Sequence, residues 1–315
     1  MSQNRFLRIG LRASYKNRIK LNQSKLALSF QQTICTSNYS LVNGPLSTLP
    51  TEIEFQVRKP DQKLISYYFR LGKAYLQFYK VGIKNIYYNY KASLPIKELI
   101  DSKYEGSISQ AVNANAISRS EFQLLTRNWH DLKRVPLFGL MFAIFGEFTP
   151  LLVIAIGNVV PLTCRTPTQI RKERKRLEES RYKAFQKVVT EPPIKGLSAL
   201  RLQQLMLINS SLGLSSRMWN LFGGPPAMIL TGKIKRRMEY LSNDDRLIEI
   251  SGGVKKMSTR EVEMALVERG IDVIGRLETD LRHDLKSWLR LRRDELYPYE
   301  RLLLTRPSMW TCKVI

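Results

Sequence analysis

The chain has 315 residues, with 51 Lys and Arg against 27 Asp and Glu, a net charge of +24 and a pI near 10.1. Hydrophobic residues at 43% exclude a wholly disordered polyelectrolyte, and the basic balance calls for an anionic partner, either nucleic acid or an acidic membrane surface. Cys35, Cys164 and Cys312 lie far apart, and with only His130 and His283 beside them they make neither a disulfide framework nor a zinc site.

The first acidic residue is Glu52. Before it, Arg5, Arg8, Arg12 and Lys16 follow helical spacing opposite Phe6 and Leu7, the composition of a mitochondrial transit peptide, which is expected to occupy residues 1–40 with its linker. The Ser/Asn/Gly/Pro-rich run from Thr36 to Pro50 reads as the linker where processing would occur. Residues 41–115 form an N-terminal region dominated by a basic helix rich in Tyr. Arg70, Lys73, Lys80, Lys84 and Lys91 share one side, and Tyr67, Leu71, Tyr75, Phe78, Tyr79, Ile83 and Ile86 spread over the other. Such a helix can lie in a lipid headgroup layer or pack on the rest of the protein, and periodicity does not choose between them.

Residues 116–195 read as a membrane region. Val135 to Leu162 carries one ionisable side chain, Glu147, and as a single helix would measure about 42 Å, enough for one transmembrane crossing kinked at Pro150. Glu147 with Thr149, Pro150 and Asn158 is the candidate ion or membrane site, because a carboxylate at that depth must be protonated, paired or wetted. The flank beyond it, Arg165 to Lys187, is the more basic and places the C-terminal part in the matrix.

Residues 196–293 read as a soluble helical domain, followed by a tail at 294–315. Ser118-Arg-Ser-Glu121 and Ser258-Thr-Arg-Glu261 have capping-box spacing, and Ser242-Asn-Asp-Asp245 is a weaker start signal. Ile274, Leu277, Leu281, Leu285 and Trp288 form the expected core stripe of the last long helix. Arg171, Lys172, Arg174, Lys175 and Arg176 in the linker, with Arg276, Arg282, Lys286, Arg290 and Arg293 on the last helix, are the candidate ribosome or RNA contacts, because clustered cations on helices suit phosphate binding. No GxxxxGK[ST], HExxH, GxSxG or EF-hand loop occurs, and nothing assembles an activated nucleophile, so neither an enzyme nor a cofactor is expected. The fold class is all-α, one kinked transmembrane helix plus a soluble helical domain.

An ordered set of short motifs carries a family resemblance. Ser118-Arg-Ser-Glu121, Leu125-Thr-Arg127, His130-Asp-Leu-Lys-Arg134, Phe145-Gly-Glu-Phe148 and Asn158-Val-Val-Pro161 are followed by Leu212-Gly-Leu214, Asp244-Asp245, Gly253-Val254, Glu268-Arg-Gly270 and Trp288-Leu289. In these the chain resembles the leucine-zipper/EF-hand-containing transmembrane (Letm-type) family in a short form, without coiled coils or EF-hand. The resemblance implies a single-pass mitochondrial inner-membrane protein with a matrix-side ribosome-binding-like domain, partly similar to 14-3-3 folds. Its partners would be the mitochondrial ribosome and anionic inner-membrane lipids, and its role the support of membrane-protein biogenesis and ion homeostasis. The alternative it implies is a homo-oligomeric cation/proton exchanger for potassium, a monovalent cation, or for calcium.

Overall fold

Phe78, Tyr79 and Ile86 repeat along one side of a helix that runs unbroken from Leu64 to Lys103 (α1), and that side is buried while the lysines opposite stay in water. The computed structural model describes residues 41–52, 64–145, 160–186, 196–197, 200–215, 219, 224–293 and 297–310, and residues Leu41–Ile315 form one compact unit. Every regular element among the described residues is helical. The expected transit peptide at 1–40 lies outside them.

Past α1 come α2 (Ile108–Asn113) and α3 (Arg119–Leu132), each started by a serine. At α3 the Ser118 hydroxyl accepts from the Glu121 N–H at 3.3 Å, and Glu121 accepts from the Ser118 N–H at 2.8 Å, the capping box that the spacing predicts. Next follow α4 (Val135–Phe145), α5 (Pro167–Gln186), α6 (Leu202–Leu212), α7 (Ala227–Ile250), α8 (Thr259–Glu268), α9 (Glu278–Arg293) and α10 (Tyr299–Leu303). Gly213, at φ 62°, ends α6 in the left-handed conformation that a side chain resists.

The transmembrane helix is overturned. No helix among the described residues is long and apolar enough to cross a membrane. Helix α1 has the length but carries lysines along it; α4 has the apolarity but only 11 residues, about 16 Å at 1.5 Å each. The ends of the 135–162 segment also come back together. Phe138 and Val160 sit in one cluster with Phe78, Tyr79, Ile86 and Cys164. Asp131 accepts from the Leu162 N–H at 2.5 Å and from the Thr163 N–H and hydroxyl at 3.2 and 3.0 Å. A continuous helix would separate Asp131 from Leu162 by roughly 46 Å. Gly82 permits the return: a Cβ there would stand 2.7 Å from the Cys164 sulfur. Residues 146–159, with Glu147, Thr149, Pro150 and Asn158, lie outside the described residues.

The stretch read as a linker is packed structure from Leu41 to Pro50. Val42, Thr48 and Leu49 are buried, and the Asn43 side chain donates to the Lys256 carbonyl and accepts from the Ser258 N–H. Ser47 bonds Asn89 on α1, and Arg260 donates to the Pro50 carbonyl. These residues form a strap across α1, α3 and the start of α8. Periodicity does not reveal it, because its buried apolar residues Val42 and Leu49 are seven apart and its hydrogen-bond partners Asn89, Lys256, Ser258 and Arg260 lie far along the chain.

The main core gathers Ile208 from α6, Leu230, Ile234, Leu241 and Ile248 from α7, Val262 and Leu266 from α8, and Leu281, Leu285 and Trp288 from α9. It does not stop at Arg293, where the sequence reading began a tail: Tyr299, Leu302, Leu303 and Trp310 belong to it, with Trp310 edge-on to Trp288 at 5.8 Å. Leu277 is exposed and, like Ile274, precedes α9, so the core stripe is shorter than the spacing suggests. Ser242-Asn-Asp-Asp245 starts no helix. It lies inside α7, where both aspartates are buried against arginines.

Candidate functional site

Two arrangements of arginine and lysine divide the molecule's cations. In the first, Arg119 and Arg127 of α3 and Arg269 at the end of α8 are buried among Asp244, Asp245 and Glu261. Arg119 reaches Asp244 at 2.7 Å, Glu261 at 3.0 Å and the Val42 carbonyl of the strap at 2.6 Å. Arg127 grips Glu261 with two nitrogens at 2.7 and 2.9 Å. Arg269 joins Asp244 at 2.8 Å and Asp245 at 2.6 Å. The remaining Asp245 oxygen accepts from the Trp288 indole at 3.0 Å and the Tyr299 hydroxyl at 2.7 Å. Gln123 donates to Asp244 and to the Tyr240 hydroxyl, which in turn donates to Glu268.

Three guanidinium groups thus face three carboxylates out of water, and burial is tolerable because nearly every oxygen has a donor. Burial alone would raise the Asp244 carboxyl, but Arg119 and Arg269 more than offset it and hold the group down at about 2. Glu261 is lowered for the same reason, with Arg127 its main partner against burial. Glu268 goes the other way: burial and the nearby Asp244 charge raise it, favouring the protonated acid. The Ser258 hydroxyl accepts from the Glu261 N–H at 3.4 Å, but the Glu261 side chain is turned to the arginines. The capping-box spacing at that site therefore marks only half a box.

The second arrangement is on α5. Arg181 donates to the Ser211 carbonyl and to Asp272, both at 2.7 Å; Glu178 accepts from the Val273 and Ile274 N–H groups; Arg174 pairs with Glu263 at 2.7 Å. These contacts lock one face of α5 onto α6 and α8. The opposite face carries Arg171, Lys172, Lys175, Tyr182 and Lys183, all exposed, with Glu179 the one acid among them. The spacing of three and four places them on one side of the helix.

The candidate cations therefore separate. Arg171, Lys172 and Lys175 are exposed, and Arg176 is half-buried. Arg174 is engaged with Glu263. On α9, Lys286 and Arg290 are exposed, while Arg282 is held by Glu278 and the Val254 and Met257 carbonyls, and Arg293 by Glu249; Arg276, just before α9, is held by Asp284 at 2.5 Å. Sequence reasoning did not single out Tyr182 and Lys183 as contacts, although their spacing from Arg171 and Lys175 was the signal. Among the described residues no group of His, Cys, Asp and Glu could hold a metal ion. The Cys164 thiol is buried and pushed up to about 12, which leaves it unreactive.

Residues 51–210, more than half of the chain, match the pentamidine resistance factor domain. The chain belongs to the pentamidine resistance factor family. Residues 196–309 of this family member match a second domain, LETM1-like, RBD, which is what the Letm-type motifs led one to expect at family level. No curated protein and no solved structure gives a significant match. The two matched stretches overlap at α6, yet the ionic cluster joins them: Arg119 and Arg127 lie in the first, Asp244, Glu261 and Arg269 in the second.

Proposed function

We propose that this pentamidine resistance factor family member is a mitochondrial protein that binds the mitochondrial ribosome through its C-terminal helical domain and the exposed face of α5. The ribosome-binding-domain match over 196–309 supports the partner and the compartment. The observation that carries the surface is the row of Arg171, Lys172, Lys175 and Lys183 around Tyr182, on a helix whose other face is fully engaged. Cations of this kind exchange condensed counterions for contacts with RNA phosphates, and an exposed phenol ring can stack on an unpaired base. Lys286 and Arg290 on α9 are a second, smaller set. The role that follows is in the synthesis and membrane insertion of mitochondrially made proteins.

The exchanger reading is left without support. Glu147, Thr149, Pro150 and Asn158 lie outside the described residues, and the spanning helix it needs is overturned.

Co-sedimentation of the full chain with purified mitochondrial ribosomes over a salt series tests the proposal. Binding is expected to weaken steeply with salt, and the joint change of Arg171, Lys172 and Lys175 to Ser should flatten the slope of log K against log salt by roughly 2 to 3. Unchanged binding by that variant would remove α5 from the interface. No binding at low salt by the wild type would defeat the reading itself.

A further inference from the structure

The α1 and α4 helices together present an apolar surface to solvent that the ribosome reading does not use. Phe69, Leu76, Ile83, Tyr87, Tyr90 and Leu94 are all exposed on α1, Phe69 at 76%. At about 100° per residue they fall within roughly 60° of one another. Lys73, Lys80, Lys84 and Lys91, also exposed, form a second stripe beside them within roughly 40°. Lys84 lies over the Tyr88 ring at 5.6 Å and Lys91 over the Tyr87 ring at 4.7 Å.

Tyr79 is on the border of the apolar stripe, and its ring meets Phe138 of α4 at 6.1 Å, so α4 packs beside that edge of α1. There Leu137, Leu140 and Ile144 are exposed, at 51%, 56% and 64%, and they too share one side of their helix. Next to them the Lys133 ammonium sits 4.6 Å from the ring of exposed Trp129. Aliphatic exposure repeated along one side of each of two packed helices marks an interaction surface rather than ordinary solvent-facing residues.

The charges identify the occupant. Residues 64–97 contain no Asp or Glu, and α4 contains no charged residue at all. Lysines with long apolar stems beside Tyr and Trp rings are the side chains that settle at a lipid–water boundary, stems and rings down, ammonium groups at the phosphates. An RNA partner would use the lysines and rings but would leave Leu76, Ile83, Leu137, Leu140 and Ile144 with nothing to bury them.

We infer that the α1–α4 face docks in the plane of an anionic lipid bilayer. It is independent of α5 and of the ribosome reading.

Flotation of the full chain with phosphatidylcholine vesicles, with and without phosphatidylglycerol, tests this. The protein should float with the anionic vesicles and bind them at least about tenfold more tightly than neutral ones. Two variants, each confined to exposed positions, separate the contributions: Lys73, Lys80, Lys84 and Lys91 changed together to Gln, and Leu137, Leu140 and Ile144 changed together to Ser. With helicity and Tm retained, each should lower vesicle affinity by about tenfold or more. The Arg171, Lys172 and Lys175 to Ser variant should float as the wild type does. Failure of the wild type to float, or undiminished flotation of both folded variants, overturns the proposal. So does a lysine variant that loses affinity for an RNA oligonucleotide while floating normally, which would assign the face to RNA.

Discussion

Arg127 and Arg171 are both arginines on helices of a strongly basic chain, and they meet opposite fates. Arg127 is buried with both of its terminal nitrogens on Glu261, whereas Arg171 stands in water on the outer side of α5. The difference is where the matching carboxylate lies. Glu261 is 134 residues from Arg127, and only the fold brings the two together. The basic surplus of the sequence is thus spread over two kinds of site. A few cations are spent inside as joints between helices, and the remainder face outward where an anionic partner can reach them. Net charge alone does not sort one from the other; burial does.

The sharpest way to break that comparison is Asp244→Ala. It removes the carboxylate shared by Arg119 and Arg269 and leaves three buried guanidinium groups with two carboxylates, Glu261 and Asp245, so denaturant unfolding should show a loss of about 3–5 kcal/mol. A loss under about 1 kcal/mol would mean that the cluster is not the joint described.

Acid acts on the same contacts with a definite sign. Asp244 and Glu261 have folded values below their ordinary ones, so their contribution is whole above about pH 4 and disappears as the pH falls through the folded values, about 2 for Asp244. From these two groups, thermal melts should fall steeply between about pH 4 and pH 2. Glu268 has the opposite sign. Its raised value means that its share of stability is present below about pH 4.3 and lost as the pH rises through the folded value, so Glu268→Gln should raise Tm at neutral pH and leave it unchanged in acid.

Smaller effects sharpen the contrast. Ser118→Ala removes the hydroxyl that caps α3 just before Arg119 and should cost about 1 kcal/mol in the same unfolding assay. Changing Arg171, Lys172 and Lys175 one at a time to Ser should move stability by no more than about 0.5 kcal/mol each, because none has an ion pair among the described residues. If those single changes destabilised as strongly as Asp244→Ala, the outer face of α5 would be structural.

What was legible in the sequence follows from the range of the forces involved. The Ser118–Glu121 cap, the buried side of α1 at Phe78 and Tyr79, and the stripe of Leu281, Leu285 and Trp288 all depend on residues three or four apart, and spacing finds them. The weaker signal at Ser242 misled because a pair of aspartates before a helical run looks like a cap, while their true partners, Arg119 and Arg269, lie 125 and 25 residues away. The apolar run from Val135 misled because hydropathy measures how much a segment avoids water and not whether its two ends return to the same place. The Asp131 carboxylate, holding Leu162 and Thr163, is the contact that decides it. At α5 the basic run was plain, but which of its cations stay outside required Glu263 and Asp272 to be located first.

The buried Arg119 has one further consequence, for the order of events as the polypeptide is made. Its two acidic partners are translated 125 and 142 residues after it, and at roughly 5–20 residues per second that is a wait of about six to thirty seconds. Through that interval α3 and the strap carry an unmatched guanidinium and have no closed interior to enter. The N-terminal half is therefore expected to wait, held by whatever receives nascent chains, and to lock only when α7 and α8 have emerged.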